Sequence, residues 1–360
     1  MRFAAALAII ISVAGAASLA QTAPDARIFP LRPIAERGAA GESLNFDIIL
    51  RNAHAFPIEL SELEVAYLDA GGEVLISRRV DGNGGVPSIV TLGERVIPAG
   101  QEALFFNPFP SPPPDVRAHR VRVRARFGRV EGQERLPDVT AEAEISRQER
   151  PRLLTFPLSG RVLVWDGHDA LSHHRRWNYA HPFLRSLGFA SNAMRYSYDF
   201  VPVDENGRMA RGRHRTVEDY IGWGAPIRAT AAGRIVAAVA DRPDDGSFDP
   251  AESNANPNAL LGNHVVIDHG DGSFSIFAHV RQNSVRVQVG REVAAGEVIA
   301  EIGSSGSALF PHLHYQLVDA PTMRGEGLPS YFRGISLRRG RVARPAPLGR
   351  VDSGDVVVSR

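Results

Sequence analysis

From about Ile28 to Ile145 apolar and polar residues alternate in short runs: SLNFDIIL, ELEVAYLD, GEVLISRRV, VTLGERVI, EALFFN, HRVRVRARF and VTAEAEISR. Their period of two is that of β-strands with one buried face, and Gly-Gly, Asp-Gly and Asn-Gly pairs between them supply the turns. A charged and then Pro/Gly-bearing stretch, RQERPRLLTFPLSG, interrupts the pattern and marks a domain boundary near residue 150. Strand-like runs resume with RVLVWD, MRYSYDFVPV, PIRATAAGRIVAAVA, NHVVIDHG, SFSIFAHV, GEVIAEIG and HLHYQLVD, and only RTVEDYIGW reads as briefly helical. The pattern predicts an all-β chain. Residues 241–262 are polar and turn-rich, a long loop of the kind that borders binding sites. Its aspartates lack the D-x-D-x-D-G spacing of a calcium loop.

The spacing of the first set of strands resembles bacterial immunoglobulin-like domains, which implies a β-sandwich over residues 21–150. The second set defines a domain over 151–320, with an antiparallel sheet and a site in a groove across it. The basic, proline-bearing residues 321–360 read as a C-terminal extension with partial disorder. The cluster NPFPSPPPD is an extended interstrand loop. Residues 1–20 combine one positive charge, an apolar stretch from about Phe3 to Val13 and small residues ending Ser18-Leu19-Ala20. That is the layout of a secretory signal peptide, and the apolar core is short for a membrane span. The mature chain is then expected to start near Gln21, outside the cytoplasm.

Composition narrows the function classes. Hydrophobic residues make up 44% and charged residues 22%, as in a globular protein, and the net charge of +1 gives no field for nucleic acid or an anionic membrane. There is no cysteine, which excludes disulfides and thiolate ligands. All 41 basic residues are arginine, a coding bias without functional content. Histidine is informative: ten of the 12 lie between His168 and His314. Clustering of the commonest metal ligand in one domain suggests a site.

His312 and His314, in FPHLHYQL, stand two apart on a strand, so their imidazoles share a face roughly 6.5 Å apart. Alone, such a pair is more often ornamental than catalytic. The neighbouring blocks WGAPIRATAAGRIVAAV, GNHVVIDHGDGSFSIFAHV, VGREVAAGEVIAEIGSSG and PHLHYQL change the odds. Together, over roughly residues 160–319, they resemble the catalytic core of the M23 peptidases, the LytM and lysostaphin-like zinc endopeptidases of bacterial cell walls. The resemblance implies Zn2+ as cofactor, with His314 and Asp199 as ligands and His279 and His312 as the catalytic pair around the attacked carbonyl. His269 and His264 read as structural, Asn263 as a brace, His214 as loop, and His54 and His119 carry no signal.

One position departs from the family pattern. The first ligand normally stands four residues before the Asp, and here that position is Arg195, whose protonated guanidinium cannot ligate. Upstream, WDGHDALSHHRRWNYAH holds His168, His173, His174 and His181. The run resembles a divergent M23 branch in which an upstream His fills the vacancy; His174 is the first candidate, then His173 and His181. The resulting expectation is a periplasmic zinc endopeptidase acting on peptidoglycan peptides, with the N-terminal domain available to an envelope partner. The competing expectation is an inactive M23-like domain that binds wall peptides or activates an amidase. A scaffold or adhesion protein led by the sandwich is a third.

Overall fold

The strand Arg120–Arg129 shows how the N-terminal pattern folds. Val121, Val123, Ala125 and Phe127 are buried, while the intervening Arg122, Arg124 and Arg126 turn outward to Glu142, Glu64 and Glu62. The computed structural model describes residues 24–38, 41–132, 134–148, 151–170 and 172–359; the expected signal peptide lies outside them. Among the described residues, no helix is long and apolar enough to cross a membrane.

In the N-terminal region, Asp25–Phe29, Asp47–Arg51 and Glu102–Phe106 form one antiparallel sheet. Val139–Glu144, Arg120–Arg129, Ile58–Leu68 and Val74–Asp81 form a second, with Val96–Ile97 beside Ile58–Leu68. Residues from both, including Ile48, Leu50, Phe105, Leu63 and Val123, share one core.

An 11-stranded sheet organises the rest. Its order runs Glu292–Val293, Gly233–Val239, His264–Asp268, Phe274–Ala278, Leu313–Val318, Tyr198–Pro202, Gly160–Asp166, Val356–Ser359, Ser336–Arg339 and Val342–Pro345, with Gly327–Leu328 beside Leu313–Val318. Every pairing in it is antiparallel. Among the described residues, 321–359 therefore differ from the partial disorder expected of 321–360. The reason is apolar burial: Leu337, Val351 and Val357 place their side chains in the sheet's core, which offsets the entropy of ordering the backbone.

The sheet has two unlike faces. Val265, Ile267, Phe277, Leu313 and Tyr315 pack into the main core on one side. On the other, Val266, Ile276, Ala278 and Val318 join a core that also takes in Ile49, Phe29 and Leu104 from the N-terminal region. By the period of two, His314 and Gln316 belong to this second face.

Helix is scarce. Val217–Asp219, inside the run expected to be helical, is a single 3-10 turn. Pro182–Ser186 is a short α-helix in a stretch that carries no helical periodicity; Pro182 opens it and the His181 imidazole caps it by accepting from the Phe183 N–H.

Candidate active site

Strand register assembles the site. Asp166 pairs with Asp199, Asp199 with His314, and His314 with Ala278, making one row across four neighbouring strands. His314 Nδ1 lies 3.1 Å from Asp199 Oδ1, and His312 Nε2 lies 3.3 Å from the same oxygen. His174 arrives from the loop after Asp166, its Nε2 3.7 Å from Asp199 Oδ1. His174, Asp199 and His314 are all buried, with candidate ligand atoms within 4.8 Å of one another. Of the upstream histidines, it is His174 that meets Asp199 and His314.

His279 follows the strand Phe274–Ala278 with a left-handed backbone, φ 58°. That conformation costs a non-glycine residue about 1 kcal/mol or more. It is held by Leu261 O accepting its N–H and by Gly303 N–H donating to its carbonyl. Its ring stands 4.8 Å from that of His312 and 5.7 Å from that of His314. The space between these groups is a cleft of about 150 Å³, bordered also by Trp165, Ser307, Leu309 and Phe310. Trp165 and Phe310 meet edge to face at its rim, and Tyr220 stacks on Phe310.

Carbonyls and a side-chain amide fix the imidazole tautomers. His279 Nδ1 faces Ser305 O at 2.9 Å and His312 Nδ1 faces Phe310 O at 2.8 Å. A carbonyl only accepts, so each Nδ1 carries a proton; the Nε2 of His279 then keeps its lone pair, while that of His312 faces the Asp199 carboxylate as a donor. For His314 the order is reversed: Nε2 donates to Gln316 Oε1 at 2.8 Å, leaving Nδ1 toward Asp199. Gln316 is itself buried and held by Ser197 and the Met323 sulfur. Behind His174, Asp166 Oδ2 lies 2.7 Å from Nδ1.

Electrostatics fit these assignments. Burial would raise Asp199, but the imidazoles of His174, His312 and His314 around it hold its carboxyl well below the usual range. Burial lowers His174, and burial together with His312 and His314 pushes His279 well below an ordinary imidazole. Both are neutral near pH 7 and keep a lone pair. His312 is raised, because Asp199 outweighs its burial.

The other histidines separate from this cluster. His168 is buried between Glu36 and the Tyr196 carbonyl. His173 is largely exposed, its Nδ1 3.2 Å from Asp166. With Asp166 and His174 it forms a second compact grouping, but Asp166 already accepts the His173 and His174 N–H groups and the Ser172 hydroxyl. His181 caps its helix. His269 bonds Ala232 O and the Ser275 hydroxyl, and Asn263 braces Arg242 and Val280, in the structural roles expected of them. Arg195 is fully buried and runs to Asp47 and Glu326.

Sequence reasoning missed Asp166 and Gln316. Gln316 could have been found by extending the period of two beyond His314; Asp166 ends an alternating strand just before a glycine, a weaker signal.

The donor chemistry suits zinc. Two imidazoles and a carboxylate meet, and the separations from Asp199 Oδ1 straddle the roughly 3.3 Å expected between ligand atoms about 2.05 Å from a tetrahedral ion. Such a set, beside two further imidazoles, can hold a metal ion and move protons next to it. Residues 213–324 match the peptidase family M23, and lysostaphin of Staphylococcus simulans is 30% identical over 34% of this chain and 20% of its own length. The glycyl-glycine endopeptidase ALE-1 of Staphylococcus capitis is 30% identical over 34% of this chain and 28% of its own length. The cell division protein DipM of Caulobacter vibrioides is 27% identical over 29% of this chain and 14% of its own. The peptidoglycan DD-endopeptidase ShyA of Vibrio cholerae is 37% identical over 16% of this chain and 13% of its own. The chain thus spans less than a third of these relatives. The matched span holds His279, His312 and His314; His174, Arg195 and Asp199 lie upstream of it.

Proposed function

We propose that the protein is a zinc metalloendopeptidase, exported to the periplasm, that hydrolyses peptide cross-links of peptidoglycan. The observation that carries the reading is the buried meeting of His174, Asp199 and His314 around one position. In this reading His174 substitutes for the ligand absent at Arg195, and the three residues hold the zinc. Bound zinc would act as a Lewis acid and bring the pKa of a coordinated water to about 7. His279 and His312 present their Nε2 atoms to the cleft. His279, with its free Nε2, takes a proton from the attacking water and returns it to the leaving amine, while His312, whose Nε2–H Asp199 favours, donates to the developing oxyanion. Asp166 and Gln316 hold the ligand rings in register. Trp165 and Phe310 give the substrate chain an apolar rim.

Peptidoglycan as substrate is supported by the activity named for ShyA, internal peptide-bond cleavage by that named for ALE-1, and the periplasm by the leader-like residues 1–20. In the same reading, residues 21–150 form an immunoglobulin-like sandwich. The departure at Arg195, together with a relative named as a cell division protein, favours a second reading, an inactive domain that binds wall peptides or activates an amidase. One experiment separates the two: zinc content of the purified protein, and cleavage of cross-linked muropeptides with and without chelator. One zinc per chain and chelator-sensitive cleavage are expected. Absence of both would replace the enzyme with the binding module.

A further inference from the structure

We propose that the N-terminal region is a structural part of the metal centre, with Asn45 as the positioning residue for the loop that carries His174. The inference rests on the reading of His174 as a zinc ligand.

The loop from Asp166 to Arg175 is pinned on both sides of His174 by residues of the N-terminal region. Before it, His168 Nδ1 meets Glu36 Oε1 at 2.9 Å, both groups buried. Immediately after it, Arg175 Nε donates to Asn45 Oδ1 at 2.6 Å and Arg175 Nη2 to the Asn107 carbonyl at 3.4 Å. The same Asn45 amide donates from Nδ2 to the Arg195 carbonyl at 3.2 Å. Asn45 therefore ties the residue after one proposed ligand to the segment that leads into Asp199.

Burial makes this tie matter. Asn45 and Arg175 are both 4% exposed, so water cannot replace a lost partner. From the other side, Asn192 Nδ2 donates to the carbonyls of His174 and Arg175. The loop backbone is thus gripped between Asn192 and Asn45. Apolar packing follows the same seam, with Ile49, Phe29 and Leu104 sharing a core with Tyr179, Leu187, Val266 and Ile276. A ligand displaced by an ångström loses metal affinity, so residues that orient ligands act on affinity directly.

The test measures zinc affinity of the whole chain by competition with a chromophoric chelator, and the absorption spectrum of the cobalt-substituted protein. His174→Ala serves as the reference for a missing ligand. Asn45→Leu is expected to weaken zinc binding 10- to 100-fold and to move the cobalt spectrum toward that of His174→Ala. Asn45→Asp keeps the acceptor for Arg175 and should recover most of the affinity. If circular dichroism shows Asn45→Leu unfolded, Asn45→Ser, whose side chain is too short to reach Arg175 and the Arg195 carbonyl together, gives the same readout. Wild-type affinity and spectrum in the folded Leu or Ser variant would overturn the proposal. So would a loss that Asn45→Asp does not recover, since that marks general disruption. A wild-type chain without zinc, or a His174→Ala variant that binds zinc normally, overturns the underlying reading instead.

Discussion

Asp166 Oδ2 stands 2.7 Å from Nδ1 of His174, on the side of the ring opposite Asp199. The carboxylate also accepts the backbone N–H groups of His173 and His174 and the Ser172 hydroxyl. The imidazoles of His173 and His174 and the Ser172 hydroxyl hold it well below the usual carboxylate range despite its burial. Asp166 thus sets both the ring and the backbone that delivers it. Asp166→Asn keeps the volume but loses the charge and one acceptor oxygen. Zinc affinity is expected to fall about 10- to 100-fold, read by chelator competition, with the melting temperature of the metal-free protein lowered by only a few degrees.

His279 and His314 should separate chemistry from metal binding. His279 makes no close approach to Asp199 like those of His174, His312 and His314, and its Nε2 faces the cleft. His279→Gln is expected to keep one zinc per chain and to lower kcat about 10²- to 10⁴-fold with a smaller change in KM. His314→Ala should lose both zinc and cleavage. Equal zinc loss in the two variants would put His279 among the ligands.

How much of this could be read beforehand follows from what each residue depends on. The shared face of His312, His314 and Gln316 needs only the period of two, so strand pattern suffices for it. The meeting of Asp199 with His314 needs strand order, which the family resemblance supplied and periodicity could not. Arg195 shows the limit most clearly. An arginine in a polar-looking run reads as surface, yet here it is fully buried, because two carboxylates from distant parts of the chain close on it. Nothing local signals such a partner. The C-terminal strands were hidden for a related reason: their basic residues face out, while Leu337 and Val357 go in.

Glu326 should make stability depend on pH. Burial pushes its carboxyl up to about 7 from an ordinary 4.5, since Arg195, whose charge is shared with Asp47, only partly offsets the loss of water. Between those values the folded chain retains a proton that the unfolded chain has released. Stability therefore falls as pH rises from about 4.5 to 7, by up to about 3 kcal/mol for this group alone. Denaturant unfolding of the metal-free protein across pH 5 to 7.5 would measure it. Glu326→Gln should flatten that part of the profile; an unchanged slope would assign the dependence to other groups.

Restoring histidine at position 195 is expected to fail as a repair. Arg195 reaches Asp47 through Nη1 at 2.7 Å and Glu326 through Nη2 at 3.4 Å, and it is as buried as any residue in the core. Replacing it with histidine withdraws the guanidinium from the fully buried Asp47 and the partly buried Glu326. Breaking a buried pair in this way costs about 3–5 kcal/mol. The side chain at 195 points to Asp47 and Glu326, whereas the ligand place beside Asp199 and His314 is already taken by His174. Arg195→His should thus melt well below the wild type and bind zinc no more tightly. The combination Arg195→His with His174→Ala tests whether the ligand position can migrate: because Asp47 and Glu326 remain unpaired, it should stay zinc-poor. Full zinc occupancy in that double variant would show that the two ligand positions are interchangeable and that the Asp47–Arg195–Glu326 cluster is dispensable.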